Sequence, residues 1–327
     1  MKAIDFTTFG DPDVLKLVDV EPPEVRQNDL LVRVHAAGVN RADLLLRTGH
    51  YGRPDFGDSR LIGLEVAGEV VSVGDGVKGF AIGDRIMGIT GGGAYAELAR
   101  LDYRMAMPIP HGLDYTQAAA IPEVFVTAHE ALVNLGRLTP HESVLIHAAA
   151  SGVGSAAVQL AHALGARVFA TAAGGKLERV RALGADIPID YKHRDFVEVI
   201  HGETNGTGVD VIVDFIGAPY FARNIESLNY GGRLVQVGLL GGGEGATVDL
   251  ERVIYRHLQI LGTVMKSRTQ EAKQAMVKRF RDQWLERFAD GTLVPVIDSV
   301  YPLADAAEAH RRMETNQSIG KIVLTNG

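Results

Sequence analysis

The stretch Ser143-Val-Leu-Ile-His-Ala-Ala-Ala-Ser-Gly-Val-Gly-Ser-Ala-Ala-Val-Gln159 reads as a short apolar strand, a turn of small residues and the start of an amphipathic helix. Ala149, Ser151 and Gly154 fall at the three positions of a G-x-G-x-x-G fingerprint, with Gly152 and Val153 inside it. Backbone N–H groups at the start of such a helix can approach a pyrophosphate, so the stretch predicts a dinucleotide site. Val153, Ala157, Leu160, Ala161 and Leu164 recur at helical spacing, Gly165 is placed to end the helix, and Arg167 to Ala172 reads as the next parallel strand. Two of the three fingerprint glycines are replaced, so the reading rests on this strand-turn-helix-strand context. The competing reading is a Gly/Ala-rich turn that packs a helix on a sheet without ligand.

NAD-binding units of this kind carry an acidic residue about 20 residues beyond the fingerprint, on the ribose hydroxyls. Here the second strand runs instead into Thr171-Ala-Ala-Gly-Gly-Lys176. Gly174 leaves room and Lys176 supplies a cation where a carboxylate would repel a 2′-phosphate, so NADPH is expected over NADH. The plainer alternative for Lys176 is a solvated residue in the first turn of the next helix.

Outward from this unit, the chain divides. Its 327 residues favour two domains over one core. From Met1 to about Pro122, short β segments (Lys2 to Phe6, Leu30 to Ala37, Gly63 to Val73, Gly83 to Gly88) are broken by Gly and Pro, with one clear helical segment from Asn40 to Arg47. Beyond Pro122, helical patterns alternate with apolar strands at Val144 to Ala148, Val168 to Thr171, Ile187 to Asp190, Val209 to Asp214, Arg233 to Val237 and Gln259 to Val264. Six parallel strands complete a doubly wound sheet. The expected class is therefore α/β: a mostly-β domain over 1–122, a Rossmann domain over 123–266, and a return to the first domain over 267–327. The return comprises a charged helix from Lys266 to Asp290 and a last strand from Gly320 to Leu324.

The net charge of -7 offers no basic field for nucleic acid or an anionic membrane, and the absence of cysteine removes disulfides, thiolate zinc sites and cysteine nucleophiles. With no basic-then-apolar leader and no membrane-length apolar run, a soluble cytoplasmic protein is expected.

Several separated motifs carry a resemblance that spans essentially the whole chain. Asn40-Arg-Ala-Asp43 with Tyr51 beyond it, Ile62-Gly-Leu-Glu-Val-Ala-Gly68, Ala118-Ala-Ala-Ile-Pro-Glu123, Ser151-Gly-Val-Gly154 and Ile319-Gly-Lys-Ile-Val323 resemble the zeta-crystallin-type quinone oxidoreductases of the medium-chain dehydrogenase/reductase superfamily. The tumour-suppressor-inducible subgroup is the nearest in pattern. The resemblance implies a GroES-like catalytic domain before the Rossmann domain. Where zinc-dependent relatives carry a Cys and a Gly-His-Glu, this chain has Asn40 and Gly63-Leu-Glu65, so no bound metal is expected.

The same resemblance implies the site. Asn40, at the vacated zinc position, and Tyr51 are the expected catalytic donors; their plainer readings are a helix N-cap and a loop-packing aromatic. Thr127 and Met265 match positions near the nicotinamide, Tyr191 a contact to the adenosine phosphate, and Lys321 a residue close to the cofactor cleft. Gly217, Gly238, Leu239 and Leu240 join them at strand ends, where open α/β sheets bind ligands. Asp43 and Glu65 read as loop anchors more readily than as general acids or bases, and Lys192, His193 and Arg194 as a basic cluster beside Tyr191. Segments such as Arg53 to Arg60 and Met265 to Arg268 are expected to shape the substrate pocket. The resulting expectation is NADPH-dependent reduction of a small-molecule quinone. The alternatives are an enoyl or alkenal reductase and a non-catalytic NADPH-binding structural or RNA-interacting protein. A homodimer through the edge strand near Gln259 to Val264 is implied as well.

Overall fold

A computed structural model describes residues 1–51 and 59–326. The chain forms two compact units, one of Met1–Val126 with the segment from Gln270 onward, the other Thr127–Thr269. The division falls a few residues beyond the positions 122 and 266 read from the sequence.

In the first unit, Asp29–Val39 is the central strand. Its alternating Leu30, Val32, Val34 and Ala36 are buried, and it pairs along one side with Glu65–Val73. Its other side is shared in succession by Leu98–Asp102 and Lys321–Thr325. Register shifts at Leu31/Val32 and Val34/Ala36 let one long strand serve these partners, as β-bulges do. Ile297–Pro302 and Arg85–Ile89 extend the sheet outward, and Ala106–Pro108 pairs with the latter. The last strand therefore lies in the sheet of the first unit. The core beneath includes Ile4, Leu30, Val66, Ile86, Tyr95, Leu101, Ile322 and Leu324. The charged helix is shorter than read, Gln270–Trp284 followed by a 3-10 turn at Leu285–Phe288. Upstream, the Ser267 hydroxyl donates to the Val264 carbonyl, and such local bonds favour a turn over helix interior.

The second unit is a six-stranded parallel sheet in spatial order Ile187–Asp190, Arg167–Ala172, Ser143–Ile146, Val209–Asp214, Leu228–Gln236, Gln259–Gly262. In chain order this is 3-2-1-4-5-6, the doubly wound arrangement with its switch point between Ser143–Ile146 and Val209–Asp214. Leu145, Phe169, Ile212 and Leu234 belong to one core cluster, while their neighbours Val144, Val168, Val211 and Val235 are equally buried. A sheet covered on both faces explains why these strands read as continuous apolar runs. Among the described residues, no helix is long and apolar enough to cross a membrane.

Candidate functional site

Each unit carries its own constellation. In the parallel sheet, Ser151 is the N-cap of helix Gly152–Ala163, and its hydroxyl accepts from the Gly154 N–H at 3.1 Å. The N–H groups of Gly152 and Val153 open the helix, where no preceding turn can accept from them. Gly154 is the packing glycine: a Cβ there would press on the Ala148 carbonyl and lie 2.8 Å from Ala149 Cα. The tight turn ahead is made by Ala148, in the left-handed region at φ 46. That conformation costs a non-glycine residue about 1–2 kcal/mol. The arrangement fits a pyrophosphate on the helix N-terminus, with the fingerprint glycines at Ala149 and Ser151 replaced by a left-handed alanine one residue earlier and a capping hydroxyl.

The other expected cofactor residues gather on the same end of the sheet, each just past its strand. Gly174 and Lys176 form a turn after Arg167–Ala172, Tyr191 follows Ile187–Asp190, Gly217 follows Val209–Asp214, Gly238 to Leu240 follow Leu228–Gln236, and Met265 follows Gln259–Gly262. Leu239 and Leu240 are exposed apolar side chains. Thr127 lies in helix Pro122–His129. Lys176 is half-buried at the N-cap of the next helix.

Two residues in this unit escaped the sequence reading. His147 is fully buried, Nδ1 2.9 Å from Thr171 Oγ1 and Nε2 2.8 Å from Asn224 Oδ1. Asn224 Nδ2 donates to Asp214 Oδ2, so its Oδ1 must accept and His147 carries its proton on Nε2. Asp214 in turn accepts from the Ile216 and Gly217 N–H groups. Burial keeps His147 neutral, and the network ties the ends of three strands together. Asp190 is the second. A Cβ at Gly174 would stand 2.6 Å from Asp190 Oδ2, so a carboxylate does flank the turn, delivered by the third strand rather than the second. It is held by His193 at 2.7 Å and by the Lys192 N–H, which lower its pKa. The expected basic cluster is thus partly spent on Asp190.

In the first unit, Asn40, Glu65 and Lys321 close on one another. Lys321 Nζ donates to Glu65 Oε1 at 2.6 Å, to Asn40 Oδ1 at 2.7 Å and to the Val39 carbonyl at 2.7 Å. Asn40 Nδ2 donates to Glu65 Oε1 at 2.9 Å, and Glu65 Oε2 accepts the Glu123 N–H at 2.8 Å. The sheet register explains the meeting, since Ile322 pairs with Val39 and Ala37 with Val66. Gly38 leaves the space, because a Cβ there would press on Glu65 Oε1. An ammonium fills the cationic role beside Glu65, and with no sulfur or imidazole in the cluster these residues do not fit a zinc ion. Asn40 stands at the N-cap position of helix Arg41–Arg47, yet its amide is engaged with Glu65 and Lys321; Lys321 has its three donors engaged within the cluster.

Around this triangle lie further acids. Asp43 is fully buried; its Oδ2 accepts the Asn40 N–H at 2.8 Å and the Tyr95 hydroxyl at 3.2 Å. Burial, against those hydrogen bonds and Lys321, raises its pKa to about 7. Burial and then the charge of Glu65 raise Glu123 to about 8. Tyr51 is pushed well above the usual phenol range by burial, then by Glu123 and Asp43. Behind Tyr95, His310 Nε2 lies 3.3 Å from its hydroxyl and His310 Nδ1 3.4 Å from Arg47, which also pairs with Glu314. A guanidinium only donates, so His310 accepts at Nδ1, donates from Nε2 to Tyr95, and Tyr95 donates to Asp43. Burial and Arg47 lower His310 to about 3. Of the pocket-shaping segment Arg53 to Arg60, residues 52–58 lie outside the described residues.

Against known proteins, residues 26–111 match the alcohol dehydrogenase GroES-like domain and residues 152–282 the zinc-binding dehydrogenase family. The quinone oxidoreductase of Rattus norvegicus is 35% identical over 99% of this chain and 97% of its own length. The polyketide synthase GfsB of Streptomyces halstedii is 38% identical over 92% of this chain, which spans only 5% of that protein. Escherichia coli quinone oxidoreductase, solved in complex with NADPH, superposes with a TM-score of 0.89 at 28% identity over 100% of both chains. CurK enoyl reductase does so with a TM-score of 0.87 at 27% identity, over 99% of this chain and 98% of its own. The two family matches, the GroES-like and parallel sheets and a relative matched over nearly its full length lead to one assignment: the chain is an oxidoreductase and belongs to the medium-chain dehydrogenase/reductase superfamily.

Proposed function

We propose that the chain is an NADPH-dependent, zinc-independent quinone reductase. The observation that carries this reading is the closure of Asn40, Glu65 and Lys321 on one another in a cluster that does not fit zinc, with the Tyr51 phenol kept protonated by burial and then by Glu123 and Asp43. Reducing an ordinary ketone requires strong stabilisation of alkoxide charge, by a metal or a strong acid. A quinone yields an aromatic hydroquinone anion and demands far less, so a neutral phenol suffices as donor.

NADPH, when bound, supplies the hydride. Gly152 and Val153 offer their N–H groups to its pyrophosphate, with Ala149, Ser151 and Gly154 shaping the turn that presents them. Lys176, Gly174 and Tyr191 take the 2′-phosphate end, and Thr127, Gly217, Gly238, Leu239, Leu240 and Met265 serve the nicotinamide half. Tyr51 donates to the acceptor oxygen, while Asn40 and Lys321 hold the cluster's charge and orientation. A homodimer formed through the edge strand Gln259–Gly262, where Ile260 is exposed, and a cytoplasmic location belong to the same reading. The likeness to CurK enoyl reductase favours a second reading, reduction of an activated carbon-carbon double bond by the same cofactor.

The test is oxidation of NADPH, and separately NADH, by chelator-treated protein offered an ortho-quinone and then an alkenal. Quinone turnover with NADPH that survives chelation and falls about 10²-fold in Tyr51→Phe is expected. Turnover of the alkenal alone would move the assignment to the second reading.

A further inference from the structure

The helix that carries Thr127 does not end as it begins. After Pro122–His129 it continues as a π-helical stretch, Glu130–Leu135, in which the Gly136 N–H donates to the Ala131 carbonyl, five residues back, at 2.8 Å. A π turn inserted in an α-helix is rare and frequently marks a functional site. Here it starts on Glu130, which is fully buried. Glu130 Oε1 pairs with Arg268 Nη2 at 3.0 Å and accepts from Asn134 Nδ2 at 3.0 Å. The same Arg268 nitrogen donates to Thr263 Oγ1 at 3.0 Å. From there the bonds run on to the strand ends. The Thr263 N–H donates to the Gln236 carbonyl, and Gln236 Nε2 donates to the Asp214 and Gly238 carbonyls at 3.2 and 2.7 Å.

Stability alone does not account for the ion pair. Taking a carboxylate and a guanidinium out of water costs about as much as their attraction returns, and apolar residues of similar volume commonly serve a core as well or better. What the pair supplies is a fixed position. The turn Met265–Ser267 contains no buried side chain, so it lacks the apolar contacts that hold a loop in one place. Arg268 closes that turn, its N–H donating to the Met265 carbonyl at 3.1 Å, and its side chain ties the turn to Glu130. Thr127 stands three residues before Glu130, on the same helical face. One ion pair thus joins the two segments expected to flank the nicotinamide, and through Thr263 and Gln236 it reaches the Gly238 turn as well.

We infer that Glu130 and Arg268 are positioning residues for the nicotinamide half of NADPH: the pair fixes Met265 relative to Thr127 and Gly238, and so holds the ring where its hydride is to leave. This rests on the reading that places Thr127, Gly238 and Met265 around the nicotinamide, and it does not depend on which acceptor takes the hydride. Glu130 acts through Arg268, and neither side chain needs to touch the cofactor.

The test separates the two halves of the cofactor. Glu130→Met is the first variant, because an apolar side chain of similar volume fills the buried site and Arg268, 26% exposed, can turn to solvent. In calorimetric titration its dissociation constant for NADPH should rise about tenfold, while 2′,5′-ADP, which lacks the nicotinamide, should bind as it does to the wild type. Glu130→Gln keeps an acceptor for Arg268 and should recover part of the loss. At saturating NADPH, with whichever acceptor the wild type reduces, kcat of Glu130→Met should fall about tenfold to 10²-fold. Adding Arg268→Met to Glu130→Met should make neither effect worse, since both changes break one link. Unchanged NADPH affinity in Glu130→Met, an equal loss for 2′,5′-ADP, or additive losses in the double variant would overturn the brace. A Met265→Ala variant that binds NADPH like the wild type would instead overturn the placement of the nicotinamide on which the inference stands.

Discussion

The two units build their sites from opposite materials. In the parallel-sheet unit, the candidate contacts are backbone N–H groups and small residues placed just past strand ends. In the other, they are buried side chains converging from positions far apart, Asn40 25 residues from Glu65 and Lys321 a further 256 beyond Glu65. A backbone site tolerates changes of side chain and fails when the backbone is moved. A side-chain site fails when a single charge is removed.

The largest expected effect breaks the side-chain site. Lys321→Met leaves Glu65 buried without its ammonium, and unfolding stability should fall by about 3–5 kcal/mol. Pairing it with Glu65→Gln should recover much of the loss in urea denaturation, which would identify the stranded charge as the cause. In the backbone site, Gly154→Ala drives a Cβ onto Ala148 and Ala149. A loss of about 1–3 kcal/mol is expected from overpacking, with an NADPH dissociation constant raised at least tenfold in fluorescence titration. Changing only a side chain there should matter less: Lys176→Ala should weaken NADPH about tenfold, near 1.4 kcal/mol, and leave NADH unaffected. Equal losses for both cofactors would remove Lys176 from the 2′-phosphate.

The smallest effect is a slope. Asp43 and Glu123 have folded pKa values of about 7 and about 8, above their ordinary 3.8 and 4.5, so the native state binds more protons than the unfolded chain and stability falls as pH rises through that range. His310, lowered from 6.5 to about 3, acts in the opposite sense, but only between those two values. Between about pH 6.5 and 8 the carboxyls act without it, and stability should decline with pH. Glu123→Gln should flatten that decline in thermal melts.

The contrast also governs what the sequence revealed. The strand-turn-helix around Ser151 and Gly154 is local, and periodicity carried it. Asn40 and Lys321 were legible as residues of interest, but not as partners, because their meeting depends on the pairing of Ile322 with Val39. Tyr95 and His310 carry no spacing signal at all, and Glu123 was legible only as the end of the motif Ala118 to Glu123. His147 left one faint mark, a single imidazole inside the apolar run Val144 to Ala150, which a buried strand end does not admit without hydrogen-bond partners. Asp190 was passed over because the carboxylate was sought on the second strand.

The position of Lys321 also sets an order of assembly during synthesis. Glu65 leaves the ribosome 256 residues before the ammonium that compensates it, an interval of tens of seconds at about 5–20 residues per second. Throughout that time the whole parallel-sheet unit is made and free to fold, while the sheet around Asp29–Val39 lacks one neighbour and its acids lack their cation. The unit that begins the chain is thus the one completed last, and the nascent protein must keep an acidic, half-paired sheet out of trouble until its final strand arrives.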